Sequence, residues 1–285
     1  MPHWRKLGII AGGGDLPVAL AEHLAQTGAD YFVARIAPFA DAALDAHPGV
    51  TLGLGAMGAR MDALRGAGCD AIVLLGQVTR QDLSSLELDA GGLAMAPALV
   101  AAAPQGDDAL LRAILNEHEK AGFKVVGAEA AMADLLAPPG VWGAHAPRDS
   151  DLRDIRKAAA VAAINGAHDV GQGVVCCDGL VLAVEAQEGT DAMLSRVAGL
   201  PAPLRGSAVE RRGVLVKRPK PIQERRIDLP VIGVRTLEGA AAAGLAGVAV
   251  EAGGALAVRR DAIINAADSA GLFVLGFDGG EVDGA

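Results

Sequence analysis

Two stretches of this chain hold more reactive side chains than folding requires. The first, Val184-Glu185-Ala186-Gln187-Glu188-Gly189-Thr190-Asp191, packs three carboxylates and a hydroxyl into seven residues. Hard oxygen donors of this kind suit Mg²⁺ or Mn²⁺ rather than zinc. His3, His23, His47, His118, His145 and His168 show no metal-ligand spacing, in keeping with oxygen ligation. Helix capping by Thr190 and Asp191 accounts for part of the pattern but leaves Gln187 and Glu188 unexplained. The second stretch runs from Lys217 to Pro230, KRPKPIQERRIDLP, where Pro219 and Pro221 stiffen an extended path. From Arg205 to Arg226, eight basic residues face two acidic ones, a segment charge of +6; the remaining 17 basic and 32 acidic residues give −15. A charge run is commonly a solvated face. A basic island in an acidic protein also suits a compact anionic substrate. Asp228 follows Arg225 and Arg226 closely enough for those cations to keep its carboxylate ionised.

Three further segments carry weaker signals. Ala11-Gly12-Gly13-Gly14-Asp15-Leu16-Pro17 lies between an apolar run and a helical pattern. Glycines there let backbone N–H groups approach a phosphate at a helix N-terminus. The run departs from the dinucleotide fingerprint G-x-G-x-x-G, and no acidic residue stands near Ile36 to hold a ribose, so NAD is disfavoured. Gly76-Gln77-Val78-Thr79-Arg80 follows an apolar run, at an expected strand carboxyl end where open α/β sheets bind ligands. Gln77 and Arg80 could read a base or a phosphate there. Gly106-Asp107-Asp108 opens a helix, where Asp is also an ordinary cap.

The elements that must position these residues alternate in the first half. Strands are expected at Leu7–Ile10, Tyr31–Ile36, Val50–Leu54, Asp70–Gly76 and Phe123–Val126. Helices are expected up to about Thr27, around Met57–Arg65 and over Asp107–Ala121. Strands separated by helices imply a parallel sheet with covered faces. The fold class expected is α/β: a Rossmann-like N-terminal domain over residues 1–137, a linker over 138–150 and a mixed α/β domain over 151–285. In the second domain Gly173–Cys177 and Leu180–Val184 flank Asp178-Gly179, a hairpin dipeptide. Helices are expected over Asp151–Ala167, Thr190–Ala198 and Asp261–Ala270. Strands are expected at Val214–Lys217, Gly247–Glu251, Leu256–Val258 and Leu272–Leu275. The end, FDGGEVDGA, is acidic and expected to fray.

Composition narrows the classes. At 285 residues the chain is long enough for about two domains. Apolar residues make up 52%, too many for a disordered chain, while aromatics are only 3%, so the core must be built from Ala, Val, Ile and Leu. The net charge of −9 and the scarcity of aromatics argue against nucleic-acid binding. No strongly apolar run of about 18 residues exists to span a membrane, and the N-terminal apolar run is too short for a signal peptide. Cys69, Cys176 and Cys177 read as buried thiols rather than a disulfide or zinc framework. A cytoplasmic protein is expected.

Taken together, LGIIAGGGDLP at 7–17, QGDDALLR at 105–112, DVGQG at 169–173, LAVEAQEGTDAML at 182–194 and VLVKRPKPIQERRIDLPVIG at 214–233 resemble the LpxI-type UDP-2,3-diacylglucosamine pyrophosphatases. The resemblance runs over nearly the whole chain in order. It implies hydrolysis of the diphosphate of UDP-2,3-diacylglucosamine to UMP and 2,3-diacylglucosamine 1-phosphate, in the cytoplasm at the inner face of the inner membrane. It also implies a divalent metal such as Mg²⁺, two α/β domains, a homodimer, and attack on the sugar-side phosphorus. Carried onto this chain, Asp228 becomes the metal ligand or water-activating base, with Asp191 as second metal ligand. Glu188, Thr190 and Asp191 orient phosphate or metal, and Lys217 offsets phosphate charge. Gly12, Gly13, Gly76, Gln77, Gly106, Asp107, Gln172, Gln187, Gly189 and Gln223 complete the substrate site. The chain departs from the family pattern at Gln77, where Asn or Lys is expected, at Gln81, where proline is expected, and at Glu224, where many relatives carry Asp. The G-N-H-[DE] signature of the calcineurin-like enzyme for the same step is missing. Two other readings stand beside this one: an NAD(P)-dependent oxidoreductase, and a non-enzymatic nucleotide–lipid sensor.

Overall fold

The computed structural model describes residues 4–79 and 86–280. It divides into two compact units, Met1–Ala133 with Glu224–Ile227, and Asp134–Gln223 with Asp228–Ala285.

In the first unit, β1 (Leu7–Ala11), α1 (Asp15–Thr27), β2 (Tyr31–Ala37), β3 (Gly49–Gly53), α2 (Met57–Gly66), β4 (Ala71–Leu75), α3 (Ala90–Ala102), α4 (Asp107–Lys120), β5 (Lys124–Val125) and α5 (Ala128–Ala131) follow in order. The sheet order is β3-β2-β1-β4-β5, and every pairing is parallel. The strand order reverses between β1 and β4, so Gly12 and Gly76, one residue past those strands, stand at the topological switch point. All five residues of β1 are buried, as a central parallel strand requires. On one face, Ile10, Ala34 and Ile72 pack with Met61 and Leu64 of α2, Met95 and Leu99 of α3, and Leu115 of α4.

The second unit contains β6 (Gly140–Trp142), α6 (Asp149–Ala167), β7 (Gly173–Cys177), β8 (Leu180–Val184), α7 (Gly189–Ala198), β9 (Val214–Lys217), β10 (Val231–Ile232), α8 (Val234–Ala242), β11 (Gly247–Glu251), β12 (Leu256–Ala257), α9 (Arg260–Ala270) and β13 (Phe273–Phe277). Its sheet runs β6-β13-β11-β9-β7-β8. The three central strands are parallel, and β7, β8 and β6 are antiparallel to their neighbours. Alternate residues feed two apolar layers. Val175, Leu215 and Val248 pack with α7, α8 and α9, while Val174, Val216 and Ala249 pack with Ile155, Ala158 and Ala162 of α6. Asp178 and Gly179 both have positive φ (49° and 78°), the backbone of a two-residue hairpin turn. The Asp154 carboxylate of α6 accepts both turn N–H groups, at 2.8 and 2.7 Å.

Several expectations change. Residues 138–150 do not form a linker: Gly140–Trp142 is an antiparallel edge strand on β13, and α6 already starts at Asp149. The indole of Trp142 is buried and donates to the Pro138 carbonyl. The division falls at Ala133/Asp134, and four residues of the Lys217–Pro230 stretch group with the first unit. Helix α3 lies in the uncharged stretch from Ala90 to Gly106, where no element is expected. Met95, Leu99 and Ala102 recur at helical spacing and are buried, and the Asp89 carboxylate caps α3 by accepting from Gly92 N. Helix α8 follows a glycine and has no acidic first turn, so no start signal marks it. The expectations for Arg80, Gln81 and the last five residues of the acidic tail lie outside the described residues. No helix among the described residues is long and apolar enough to cross a membrane.

Candidate active site

At the switch point of the first unit, the two turns hydrogen-bond to each other. Gly12 N donates to Leu75 O (2.8 Å), Gly13 N to Gln77 O (2.8 Å), and Gln77 N to Gly13 O (2.9 Å). The Gly12 and Gly13 N–H groups, expected to face a phosphate, are thereby committed to the neighbouring turn. The glycines are there because the turns touch. A Cβ on Gly12 would lie 2.7 Å from Gln77 O, and one on Gly76, whose φ is +89°, would lie 2.6 Å from Gly13 O. What this unit does offer an anion is a pair of helix starts. Gly14 precedes α1 and Gly106 precedes α4, with φ/ψ of 91°/175° and 115°/175°, and neither start has a side-chain cap. Asp15 and Asp107 are the first residues of the two helices.

In the second unit, strand ends gather the other candidates. Lys217 closes β9 and is 5% exposed. Its Nζ donates to Thr190 Oγ1 (2.7 Å) and to Val231 O (3.3 Å). Thr190 Oγ1 in turn donates to Glu185 Oε1 (2.5 Å), which lies 3.9 Å from Lys217 Nζ. Thr190 therefore bridges the ammonium and the carboxylate from the first turn of α7, where it is more than a cap.

A second group adjoins it. Lys217 pairs in register with Gly173, and Arg218 N donates to Gln172 O (3.1 Å). Gln172 Nε2 donates to the backbone oxygen of Asp228 (2.8 Å) and to its Oδ2 (3.3 Å). Lys220 Nζ lies 4.0 Å from Asp228 Oδ2 and donates to Asp169 Oδ1 at 2.5 Å. The Asp228 side chain is 33% exposed, so a water or ligand can reach it. Gln223 Oε1 accepts from Lys220 N (2.7 Å), whereas its Nε2 is buried with no hydrogen-bond partner. Sequence reasoning missed Asp169 and Lys220. The sequence signal was an Asp two residues ahead of a Gly-x-Gly, and a lysine inside the charge island; the structure adds that Asp169 lies in the left-handed region (φ 56°).

The other candidates sit apart from these groups. Asp191 Oδ2 pairs with Arg235 at 2.5 Å on an exposed surface. Glu188 pairs with Arg196 at 2.7 Å, also in the open. Its own backbone N–H and the Arg196 guanidinium hold its carboxyl below the usual range. Gln187 is exposed, and Gly189 starts α7 with φ 77°. The charge island is largely spent internally. Arg205 and Arg211 bond backbone carbonyls, Arg212 pairs with Asp178, Arg218 with Glu251 and Arg226 with Glu224 and Glu119. It is neither a solvated face nor an open basic patch. The cysteines are buried, and burial pushes the thiols of Cys69 and Cys177 up to about 11 and that of Cys176 to about 12.

Residues 6–135 match the LpxI N-terminal domain and residues 138–275 the LpxI C-terminal domain. The chain belongs to the LpxI family. It is 54% identical over 96% of its length, and 98% of the relative's, to the UDP-2,3-diacylglucosamine pyrophosphatase LpxI of Caulobacter vibrioides. Among solved structures, a CobK precorrin-6A reductase covers 96% of this chain and 87% of its own, at 13% identity and a TM-score of 0.34, which carries no weight for fold or chemistry. As an LpxI-family chain, the protein is an enzyme of the hydrolase class.

Among the described residues, no three His, Cys, Asp or Glu side chains converge as a metal cage. Mg²⁺ rarely uses such a cage; it takes one or two carboxylates and completes its octahedron with water and substrate phosphates. Asp228, a hard oxygen donor that solvent reaches, fits that role. Asp191 is accessible too but already faces Arg235.

Proposed function

We propose that this protein hydrolyses UDP-2,3-diacylglucosamine to UMP and 2,3-diacylglucosamine 1-phosphate, a step of lipid A synthesis. The observation that carries this reading is the 54% identity to a pyrophosphatase of that name across 96% of the chain. Water adds to one phosphorus, the bridging P–O bond breaks, and the displaced phosphate leaves as its conjugate base.

The barrier is largely electrostatic, so the protein must align a water and neutralise the leaving phosphate. Asp228 is the group best set to take the water proton. Gln172 holds it through two contacts, and its carboxylate stays accessible. Lys220, beside it, is balanced by Asp169 and steadies the charge. Lys217, its ammonium held by Thr190, supplies a donor group for phosphate oxygens, and the buried, unpartnered Nε2 of Gln223 supplies another. A divalent cation, Mg²⁺ or Mn²⁺, would be held by Asp228 together with water and substrate phosphates and would polarise the phosphoryl oxygens when bound; Asp191, expected as a second ligand, is engaged by Arg235 instead. The uridine falls to the first unit, at Gly76, Gln77, Gly106 and Asp107. The same reading has the enzyme working in the cytoplasm as a homodimer, in peripheral contact with the inner membrane that carries its diacylated substrate.

The test is turnover of UDP-2,3-diacylglucosamine with Mg²⁺ or with chelator, in ¹⁸O-water. Release of UMP, lost on chelation, with ¹⁸O in the lipid phosphate is the expected result; it places attack on the sugar-side phosphorus. Label in UMP would reverse that assignment. Tight binding without product would favour the sensor, and nicotinamide binding without hydrolysis would favour the oxidoreductase.

A further inference from the structure

We propose that Glu185 is a positioning residue: its carboxylate is the counter-ion that keeps Lys217 charged inside the protein, and it takes the Thr190 proton so that the hydroxyl oxygen holds the ammonium in place for phosphate work. This rests on the hydrolase reading above.

Glu185 lies one residue beyond β8 and is 9% exposed. Its Oε1 accepts from Thr190 at 2.5 Å and stands 3.9 Å from Lys217 Nζ. Its Oε2 is buried with no hydrogen-bond partner. A carboxylate oxygen left in that state is expensive. For packing alone, a neutral side chain of the same volume would serve as well or better. The neighbouring backbone leaves space for this side chain at one position: a Cβ on Gly173 would lie 2.7 Å from Glu185 Oε2. Gly171 instead allows close approach to the backbone carbonyl of residue 185, 2.1 Å from where its Cβ would stand, while Gln172 between the two glycines reaches Asp228.

Among the described residues, Glu185 is the carboxylate within ion-pair distance of Lys217 Nζ. The charged groups on the neighbouring elements are paired elsewhere: Arg218 with Glu251, Lys220 with Asp169, Asp191 with Arg235, and Glu188 with Arg196. Asp228 faces Lys220. With Thr190's proton committed to Glu185, its oxygen accepts from Lys217, so hydroxyl and ammonium are fixed as one unit.

Glu185→Gln keeps the acceptor for Thr190 but removes the charge. The expected result is a fall in kcat of about 10- to 100-fold with little change in KM, the loss of one charge-assisted contact in the transition state. The alkaline limb of the pH–rate profile moves to lower pH. Glu185→Asp restores the charge, returns the alkaline limb and recovers part of kcat. An activity-independent readout comes from ¹³C-lysine labelling, since the chain has only six lysines. The Lys217 signal, assigned by its loss in Lys217→Met, should lose its charge at lower pH in Glu185→Gln than in wild type. Wild-type kcat with an unmoved alkaline limb in Glu185→Gln would overturn the proposal, as would a Lys217 titration identical in the two proteins. If wild type itself does not cleave the substrate, the hydrolase reading fails, and the lysine titration still decides the role of Glu185. If Glu185→Gln does not fold, Glu185→Asp decides: kcat should fall while the alkaline limb stays, and an unchanged kcat overturns the proposal.

Discussion

Lys217, Arg218 and Lys220 lie within four residues, and each is less than a tenth exposed. Burying three cations so close together is tolerable only because each has its own carboxylate: Glu185, Glu251 and Asp169. The neighbouring pair in the first unit is of another kind. Arg226 makes a two-pronged contact with Glu224, at 3.0 Å on each oxygen, and reaches Glu119 at 2.6 Å. The Asp108 carboxylate accepts Glu224 N at 2.8 Å, which ties this run to α4. The Arg226 guanidinium holds the Glu224 carboxyl below its ordinary range, against burial, which pushes it up. A carboxyl with a depressed folded value contributes stability above its unfolded value and loses it as pH falls through the folded one. Arg226 is 38% exposed, so solvent discounts the pair to roughly 1 kcal/mol. In urea unfolding, Glu224→Gln should cost that much at pH 7 and progressively less as the pH falls below about 4.5, the carboxyl's ordinary value. An equal cost at every pH would show that the charge contributes nothing.

The β1–α1 and β4 turns form one unit, locked by three backbone hydrogen bonds. Gly12→Ala forces a methyl against Gln77 O and should destabilise the protein by about 1–3 kcal/mol. Thermal unfolding of the variant would show it; an unchanged midpoint would mean the turns separate freely. These glycines also show what a sequence reveals and what it hides. Their position between a strand and a helix was legible because parallel βα units announce themselves by alternation, and the Asp178-Gly179 hairpin because its dihedrals need those residue types. Their purpose was not legible: a glycine needed for backbone contact looks the same as one needed for phosphate. The edge strand Gly140–Trp142 hid in a Pro/Gly-rich run because three residues are too few for periodicity. Helix α3 hid because Ala and Gly on both faces leave little amphipathic contrast. In the second unit Asp228, Thr190, Lys217, Gln172 and the Glu185 carboxylate were all legible as candidates. Which of them meet was not: Lys217 and Glu185, Gln172 and Asp228, and Lys220 and Asp169 lie tens of residues apart, and the sheet register brings them together.

Across the whole molecule, the charge of −9 conceals a local balance rather than an open basic surface. The +6 segment is offset by carboxylates drawn from α6–β7, β8, β11 and α4. Each unit by itself offers an anion little: the first, the uncapped starts of α1 and α4; the second, the Lys217 ammonium and the Nε2 of Gln223. In the proposed reaction Asp228, accessible and held by Gln172, is the residue on which chemistry depends most directly. Asp228→Asn preserves the side-chain shape and an acceptor for Gln172 but cannot take a proton. The decisive measurement is UMP release from UDP-2,3-diacylglucosamine at saturating Mg²⁺ by wild type and by folded Asp228→Asn. Wild type should turn over, and the variant should lose about 100-fold or more in kcat. Turnover by the variant near the wild-type rate would contradict the assignment of Asp228 as the water-activating group.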